Sequence, residues 1–278
     1  MSWGTTGSVT TVLVRDAGAT ALVIGAVRMI VAGLLLLGAA ASVGGGLRIH
    51  PADRWRCVVL GGCMAAFQVT YFSAVTLTGI AIAALIAICG APLLITGLAT
   101  FLLGERLTPR VMGALALGVV GTALLIVGPR AADDVSRRFL AGVLLALGAS
   151  VSYALYVVLA KASLARTAPL PLAAVNFAAA ALLLSPLLGA PDAGRQIALG
   201  WPWLLYLGAV TTAGAYAAYT IGLREVPASV AGIASLAEPL TATVLGVVLF
   251  GEQLGAAGVL GGLLLFAAIG LLATRDPA

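Results

Sequence analysis

One histidine in 278 residues leaves little for acid–base or nucleophilic catalysis. That histidine, His50, stands in a loop beside Pro51, so no Ser–His dyad forms within an apolar segment. Asp16, Asp53, Asp133, Asp134, Asp192 and Asp276 all fall in loops or at the terminus, which removes a paired-aspartate membrane protease. Cys57, Cys63 and Cys89 show neither CxxC nor Cys/His spacing; they read as small apolar fillers, with no disulfide framework and no metal site. No Walker or GxGxxG loop sits in a strand–helix context, so ATP is not the energy source. An enzyme is not expected, and neither is a cofactor.

Charge is the second scarcity. Only 9% of the residues are charged, against about 25% in an ordinary soluble domain. With 62% apolar residues and a mean hydropathy of +1.14, a water-soluble globule is excluded. The excess of 15 Lys and Arg over 10 Asp and Glu lies between apolar runs, where it sets topology and does not point to nucleic acid.

What the chain has in quantity is apolar length. Segmentation gives spans near 1–14, 19–43, 56–77, 80–103, 109–128, 139–160, 169–188, 202–223, 227–250 and 256–273. This is an all-α membrane protein of ten transmembrane helices. The first span is short, since a crossing takes about 20 residues, and it lacks the basic start and cleavage site of a signal peptide. We read it as an incomplete helix, the chain starting part-way into it through trimming or a late-assigned start.

Basic residues orient the spans, because cytoplasmic loops hold the excess. Arg48, Arg54, Arg56, Arg106, Arg110, Lys161, Arg166, Arg224 and Arg275 vote for one side, and Arg15, Arg130, Arg137, Arg138 and Arg195 for the other. Both termini are expected in the cytoplasm and the chain in the inner membrane.

The sequence also repeats. Gly104-Glu105-Arg106-Leu107 returns as Gly251-Glu252-Gln253-Leu254, so positions 105 and 252 set an offset of 147. Without a gap, the same offset superposes Ala81 on Ala228, Ile86-Ala87 on Ile233-Ala234, Pro92-Leu93 on Pro239-Leu240 and Thr96 on Thr243. Residues 1–128 and 139–273 are therefore read as two five-helix repeats within one integrated membrane domain. Five is odd, so the second copy enters from the opposite face. Inverted repeats are common in secondary transporters, with the substrate near the midplane where the repeats meet.

Trp3-Gly4-Thr5, Arg28, Tyr71 to Ala74, Pro92 and Gly-Glu-Arg-Leu, followed by Tyr156, Glu238-Pro239 and Gly251-Glu252-Gln253-Leu254, resemble an EamA-type member of the drug/metabolite transporter superfamily. The resemblance covers almost the whole chain and lies in the ordered combination of motifs. It implies a ten-helix inverted-repeat carrier with both termini inside. It also implies export of amino acids and other small metabolites, nearest to the branch that exports aromatic and other amino acids. Two departures stand out: the incomplete first helix, and Ser152, where relatives often place Trp.

Several polar and aromatic residues recur at helical spacing. Gln68, Tyr71 and Phe72 share a face, as do Ser152 and Tyr156 with Tyr153 beside them; Thr212, Tyr216 and Tyr219 form a stripe. A tyrosine hydroxyl in lipid needs a partner, so these residues, with Trp3, are candidates for lining a substrate cavity. Packing against neighbouring helices or an interfacial belt is the alternative, and Tyr206 is assigned to the belt. Glu238 is an acid halfway along its span, followed by the helix-loosening Pro239, with Pro92 matching it in the other half. Its roles are substrate or proton binding, or a structural pairing. Arg28 is read as structural, and Glu105 and Glu252 as helix-end or gate-closing residues. Gly258 and Gly262, with Ala114, Gly118 and Thr122, mark faces for close packing of the fifth and tenth spans.

The expected function is an inner-membrane exporter or facilitator of amino acids and similar metabolites, working by alternating access. Its partners are a small-molecule substrate and the lipid bilayer; nothing in the sequence sets an oligomeric state. The rivals are a carrier of lipophilic cations or drugs and a non-transporting scaffold or accessory subunit.

Overall fold

The computed structural model describes residues 2–43, 46–126, 137–250 and 255–273. Gly251-Glu252-Gln253-Leu254 and the loop bearing Arg130, Asp133 and Asp134 lie outside the described residues. Among the described residues there is no strand. Eight segments among the described residues are long and apolar enough to cross a membrane: Ala21–Ser42, Pro51–Thr78, Ile82–Leu103, Arg137–Ser163, Pro169–Gly189, Ala193–Glu225, Ala228–Leu245 and Ala256–Ala273. A shorter apolar helix covers Pro109–Leu125.

In chain order the helices are α1 Thr5–Ala17, α2 Ala21–Ser42, α3 Arg54–Thr78, α4 Ile80–Ala84, α5 Gly90–Leu103, α6 Pro109–Ile126 and α7 Arg137–Ser163. Then come α8 Pro169–Leu184, α9 Ala193–Tyr206, α10 Ala215–Glu225, α11 Ala228–Ala234, α12 Ala237–Phe250 and α13 Ala256–Ala273. The first helix is shifted from the expected 1–14. A 3-10 turn over Ser2–Gly4 precedes it, and Gly18 closes it at φ 60°, a left-handed cap that glycine adopts without a Cβ clash. The eighth span begins earlier than expected, because α9 takes in Arg195 and Gln196. The Gln196 amide oxygen accepts from the backbone N–H of Thr20 at 2.9 Å, which ties that turn to the start of α2.

Two compact units are formed, and each draws on both sequence halves. The first unit comprises Ser2–Val69 and Leu159–Glu225; the second comprises Thr70–Val158 and the chain from Val226 onward, so the division falls inside α3 and α7. In the first unit α2 packs along α8 and α1 along α9. Glycines permit this. A Cβ at Gly33 would lie 3.3 Å from the Phe177 carbonyl oxygen, and one at Gly61 2.8 Å from that of Asn176. In the second unit α6 lies along α13 and α11 against α5. The α6–α13 contact is tightest at Gly121 and Gly261, where a Cβ on either would meet the other's carbonyl oxygen at 2.8 or 2.6 Å. Thus the fifth and tenth spans do meet through small residues, with Gly261 rather than Gly262 at the closest approach.

Several helices are broken. Residues Leu85–Cys89 form a π-helical turn between α4 and α5. It includes Ile88, whose carbonyl the ring of Pro92 would press in a regular helix, so the wider turn relieves that clash. A longer π-helical stretch, Leu207–Gly214, joins α9 to α10. Between α11 and α12 the helix is interrupted at Ser235 and Leu236.

Candidate functional site

The first unit holds an aromatic cluster. The Trp3 ring lies 5.0 Å from Tyr216 and 5.4 Å from Tyr219, centroid to centroid, and Tyr216 lies 4.7 Å from Phe177. Tyr216 and Tyr219 meet edge-on at 6.2 Å. These separations and tilts are those aromatic pairs favour. Trp3 is half-buried and Tyr216 buried. Gln68 in α3, also in this unit, is buried, and its Nε2 has no partner among the described residues; the same holds for the Trp3 indole N–H.

Thr212 lies in the π-helical stretch, four residues before Tyr216, and its hydroxyl donates to the Leu207 carbonyl at 2.8 Å. Thr211 donates to the same carbonyl at 2.8 Å. Both are fully buried. Tyr206, assigned to the belt, exchanges a 3.0 Å hydrogen bond with Thr5, on the helix that packs against its own.

The second unit holds the acid. Glu238 is the second residue of α12 and half-buried, so the helix starts at the acid instead of running through it. Pro239 is the third residue, where its missing N–H removes little, because first-turn N–H groups have no intrahelical acceptor. The carbonyl of Ser235, which Pro239 cannot serve, accepts from the Glu238 N–H at 3.0 Å. A carboxylate in a first turn is favoured by the helix dipole. Tyr71 is close enough to feel the Glu238 charge, and its ring meets Phe72 at 5.5 Å. Tyr153 and Tyr156 stack at 6.3 Å in α7, both buried. Ser152 donates its hydroxyl back to the Gly148 carbonyl at 2.8 Å. Pro92 sits in the first turn of α5, as Pro239 does in α12.

Two other carboxylates act at segment ends. Asp53, fully buried, accepts from Arg166 at 2.6 Å, Thr167 at 3.0 Å and Arg56 at 3.2 Å, joining the turn before α3 to the one before α8. Glu105 accepts from the backbone N–H groups of Ala228 and Ser229 at 2.5 and 3.1 Å and from the Ser229 hydroxyl at 2.7 Å, capping α11. It borders a cavity of about 370 Å³ with Arg106, Arg110 and Pro227. Arg110 itself caps α13 by donating to the carbonyls of Leu271 and Leu272. Arg28 is buried in the first unit.

Two features escaped the sequence reading. The Asp53 cluster joins residues 113 and 114 positions apart, which no local spacing reveals. Asn176, fully buried, was legible: it is the single polar side chain in α8.

A polytopic helical protein with buried tyrosines, an orphaned indole N–H and an acid at a helix break is built as a membrane carrier is built. The EamA-like transporter family model matches residues 1–127 and 140–274, and the chain belongs to that family. It is 38% identical over 263 residues to the uncharacterized transporter YwfM of Bacillus subtilis, covering 93% of this chain and 86% of that protein. It is 30% identical over 208 residues to an uncharacterized transporter of Archaeoglobus fulgidus, covering 74% of this chain and 72% of the other. A solved crystal structure is similar with a TM-score of 0.81 at 25% identity, covering 98% of this chain and 92% of that one. The protein is a multi-pass membrane transporter.

Proposed function

We propose that this transporter exports amino acids and similar small metabolites across the inner membrane by alternating access, with both termini in the cytoplasm. The observation that carries the reading is Glu238 in the first turn of a half-helix, with Tyr71 within reach of its charge. Such a group answers to a substrate ammonium or to a proton. The two-repeat, ten-helix reading is supported by element bounds: shifted by 147, α6 at 109–126 falls on 256–273, the bounds of α13. The prolines keep the same register, each third in its helix after a break. Inverted repeats place substrate near the bilayer midplane on discontinuous helices.

Uptake into proteoliposomes, with and without a pH gradient, tests the reading on a panel of amino acids and cationic drugs. Amino-acid uptake that unlabelled amino acids compete and cationic drugs do not is the expected result. Uptake of drugs alone would favour the lipophilic-cation carrier, with which the Glu238 carboxylate is also compatible. No uptake of any compound would favour the scaffold. A cytoplasm-active reporter fused at the C-terminus or near Arg54 should be active, and one at Asp133 silent; the reverse pattern overturns the orientation.

A further inference from the structure

Three side chains of the first unit carry buried N–H donors with no acceptor among the described residues. Asn176 is fully buried in an otherwise apolar α8, and neither its Nδ2 nor its Oδ1 has a partner among the described residues. The Trp3 Nε1 and Gln68 Nε2 are in the same condition. Buried polar groups in native proteins are bonded almost without exception, so three such donors in one unit point to a ligand group.

The three are linked through their neighbours. Trp3 packs on Tyr216, and Tyr216 on Phe177, the residue after Asn176. On the other side, Gly61 brings α3 against the Asn176 backbone. Gln68 lies seven residues further along the buried stripe of Gly61, Met64 and Ala65, about 10 Å at the helical rise. That span suits a molecule of amino-acid size.

The chemistry of the group follows by elimination. The buried serine and threonine hydroxyls of this unit are engaged: Thr211 and Thr212 on Leu207, Thr220 on Tyr216, Ser163 on Leu159 and Thr167 on Asp53. Asp53, the buried carboxylate among its described residues, is held by two arginines. Trp3, Gln68 and Asn176 then offer unmatched N–H donors against the unmatched amide oxygen of Asn176, so donors are in excess. Such a setting takes an acceptor oxygen. We propose that Asn176, with Gln68 and Trp3, forms a donor-rich subsite that binds the carboxylate of the transported molecule. The proposal rests on the transport reading above and deepens it.

The test uses the full chain in proteoliposomes, with Trp55, Trp201 and Trp203 changed to Phe so that Trp3 reports alone. These three indoles are exposed and stand outside the subsite. Two ligands are titrated, L-phenylalanine and phenethylamine, which share the ring and the amine and differ in the carboxylate. Phenylalanine should shift Trp3 emission saturably and bind about tenfold or more tighter than phenethylamine, since a site built to hydrogen-bond a group rejects the analogue lacking it. Asn176→Leu should weaken phenylalanine by a similar factor and leave phenethylamine within about twofold. Gln68→Leu should do the same and serves if Asn176→Leu fails to fold. Equal affinity for the two ligands, no response to phenylalanine, or unchanged discrimination in the folded variants would each overturn the subsite. Counterflow in the same vesicles reads transport separately. Binding with the expected discrimination but no flux would fail the transport reading alone. Flux with no dependence on Asn176 or Gln68 would fail the subsite alone.

Discussion

The two units meet the same problem, polar groups inside an apolar bundle, with opposite inventories. The first carries donors: Trp3, Gln68, Asn176 and the buried Arg28. The second carries the intramembrane acid Glu238, whose charge reaches Tyr71. Their helix breaks differ in the same sense. The π-helical stretch Leu207–Gly214 satisfies its own geometry, with two threonine hydroxyls on one carbonyl. The interruption before α12 leaves a charged group in the first turn of a new helix. A break filled by hydroxyls is finished structure, whereas a break that presents a carboxylate can exchange partners. Glu238 is therefore where chemistry that changes during a cycle is expected, and the first unit is where fixed recognition is expected.

The largest effects should come from the glycine contacts that hold each unit together. Gly121→Ala puts a Cβ 2.8 Å from the Gly261 carbonyl and 3.0 Å from the Leu265 nitrogen, backbone atoms that cannot turn aside. A loss of about 1–3 kcal/mol is expected from such overpacking, read as a lowered melting temperature in detergent. Gly61→Ala meets Asn176 and Ala180 backbone atoms at 2.8 and 2.9 Å and should cost about as much. The comparison sharpens in a second readout: Gly61→Ala should also weaken substrate affinity, because it pushes on the helix that carries Asn176. Equal transport loss in both variants at matched folded protein would remove the distinction.

Next comes Glu238→Gln. It keeps the shape and a first-turn acceptor but removes the charge, so expression and folding should hold. Transport of cationic substrates, or its pH dependence, should change by about tenfold, the equivalent of about 1.4 kcal/mol. Unaltered rates across a pH series and a substrate panel would make Glu238 structural, and the contrast between exchanging and fixed units would fail.

How much of this was legible depended on distance along the chain. Apolar length marked α2, α6 and α13 nearly to the residue, since each is a single uninterrupted helix. The Glu105 cap on Ala228 and Ser229 spans more than 120 residues, and no window shows it, although the repeated Gly-Glu motif marked the residue. Regular α-helical spacing places Thr212 on a stripe, and only the backbone shows that it sits in a π-helical stretch with its hydroxyl on the Leu207 carbonyl. Glu238 was seen as a mid-span acid, but only the backbone shows that a helix starts there. Asn176 needed no structure to be noticed, only the observation that one amide interrupts sixteen otherwise apolar residues; its burial and unmatched atoms needed the fold.

A smaller effect is expected from the rings. Tyr219→Ala removes one contact of the Trp3 cluster, and Tyr71→Ala removes a ring that the Glu238 charge reaches. An aromatic pair is worth about 0.5–1.5 kcal/mol beyond its buried area. Tyr219→Ala should weaken aromatic substrates several-fold more than small ones. Tyr71→Ala should instead alter cationic or pH-dependent transport, following Glu238. If both variants lower all substrates equally and express poorly, the rings serve packing, and the two units do not divide recognition as argued.

The smallest effect separates the two end carboxylates. Asp53 is fully buried and depends on side chains, so each partner counts; Glu105 is half-buried and takes two of its three hydrogen bonds from backbone N–H groups. Ser229→Ala removes only the 2.7 Å hydroxyl contact. Both N–H donors remain to cap α11, and water reaches the freed carboxylate lone pair, so no buried acceptor is orphaned. The loss should stay near the low end of a single hydrogen bond, about 0.5 kcal/mol, and transport should be nearly that of the unsubstituted protein. Glu105→Ala, in contrast, strips all three contacts and should lower both melting temperature and flux. If Ser229→Ala alone reproduces the Glu105→Ala defect, the hydroxyl rather than the backbone holds the cap, and Glu105 belongs with Asp53 among carboxylates that rely on their side-chain partners.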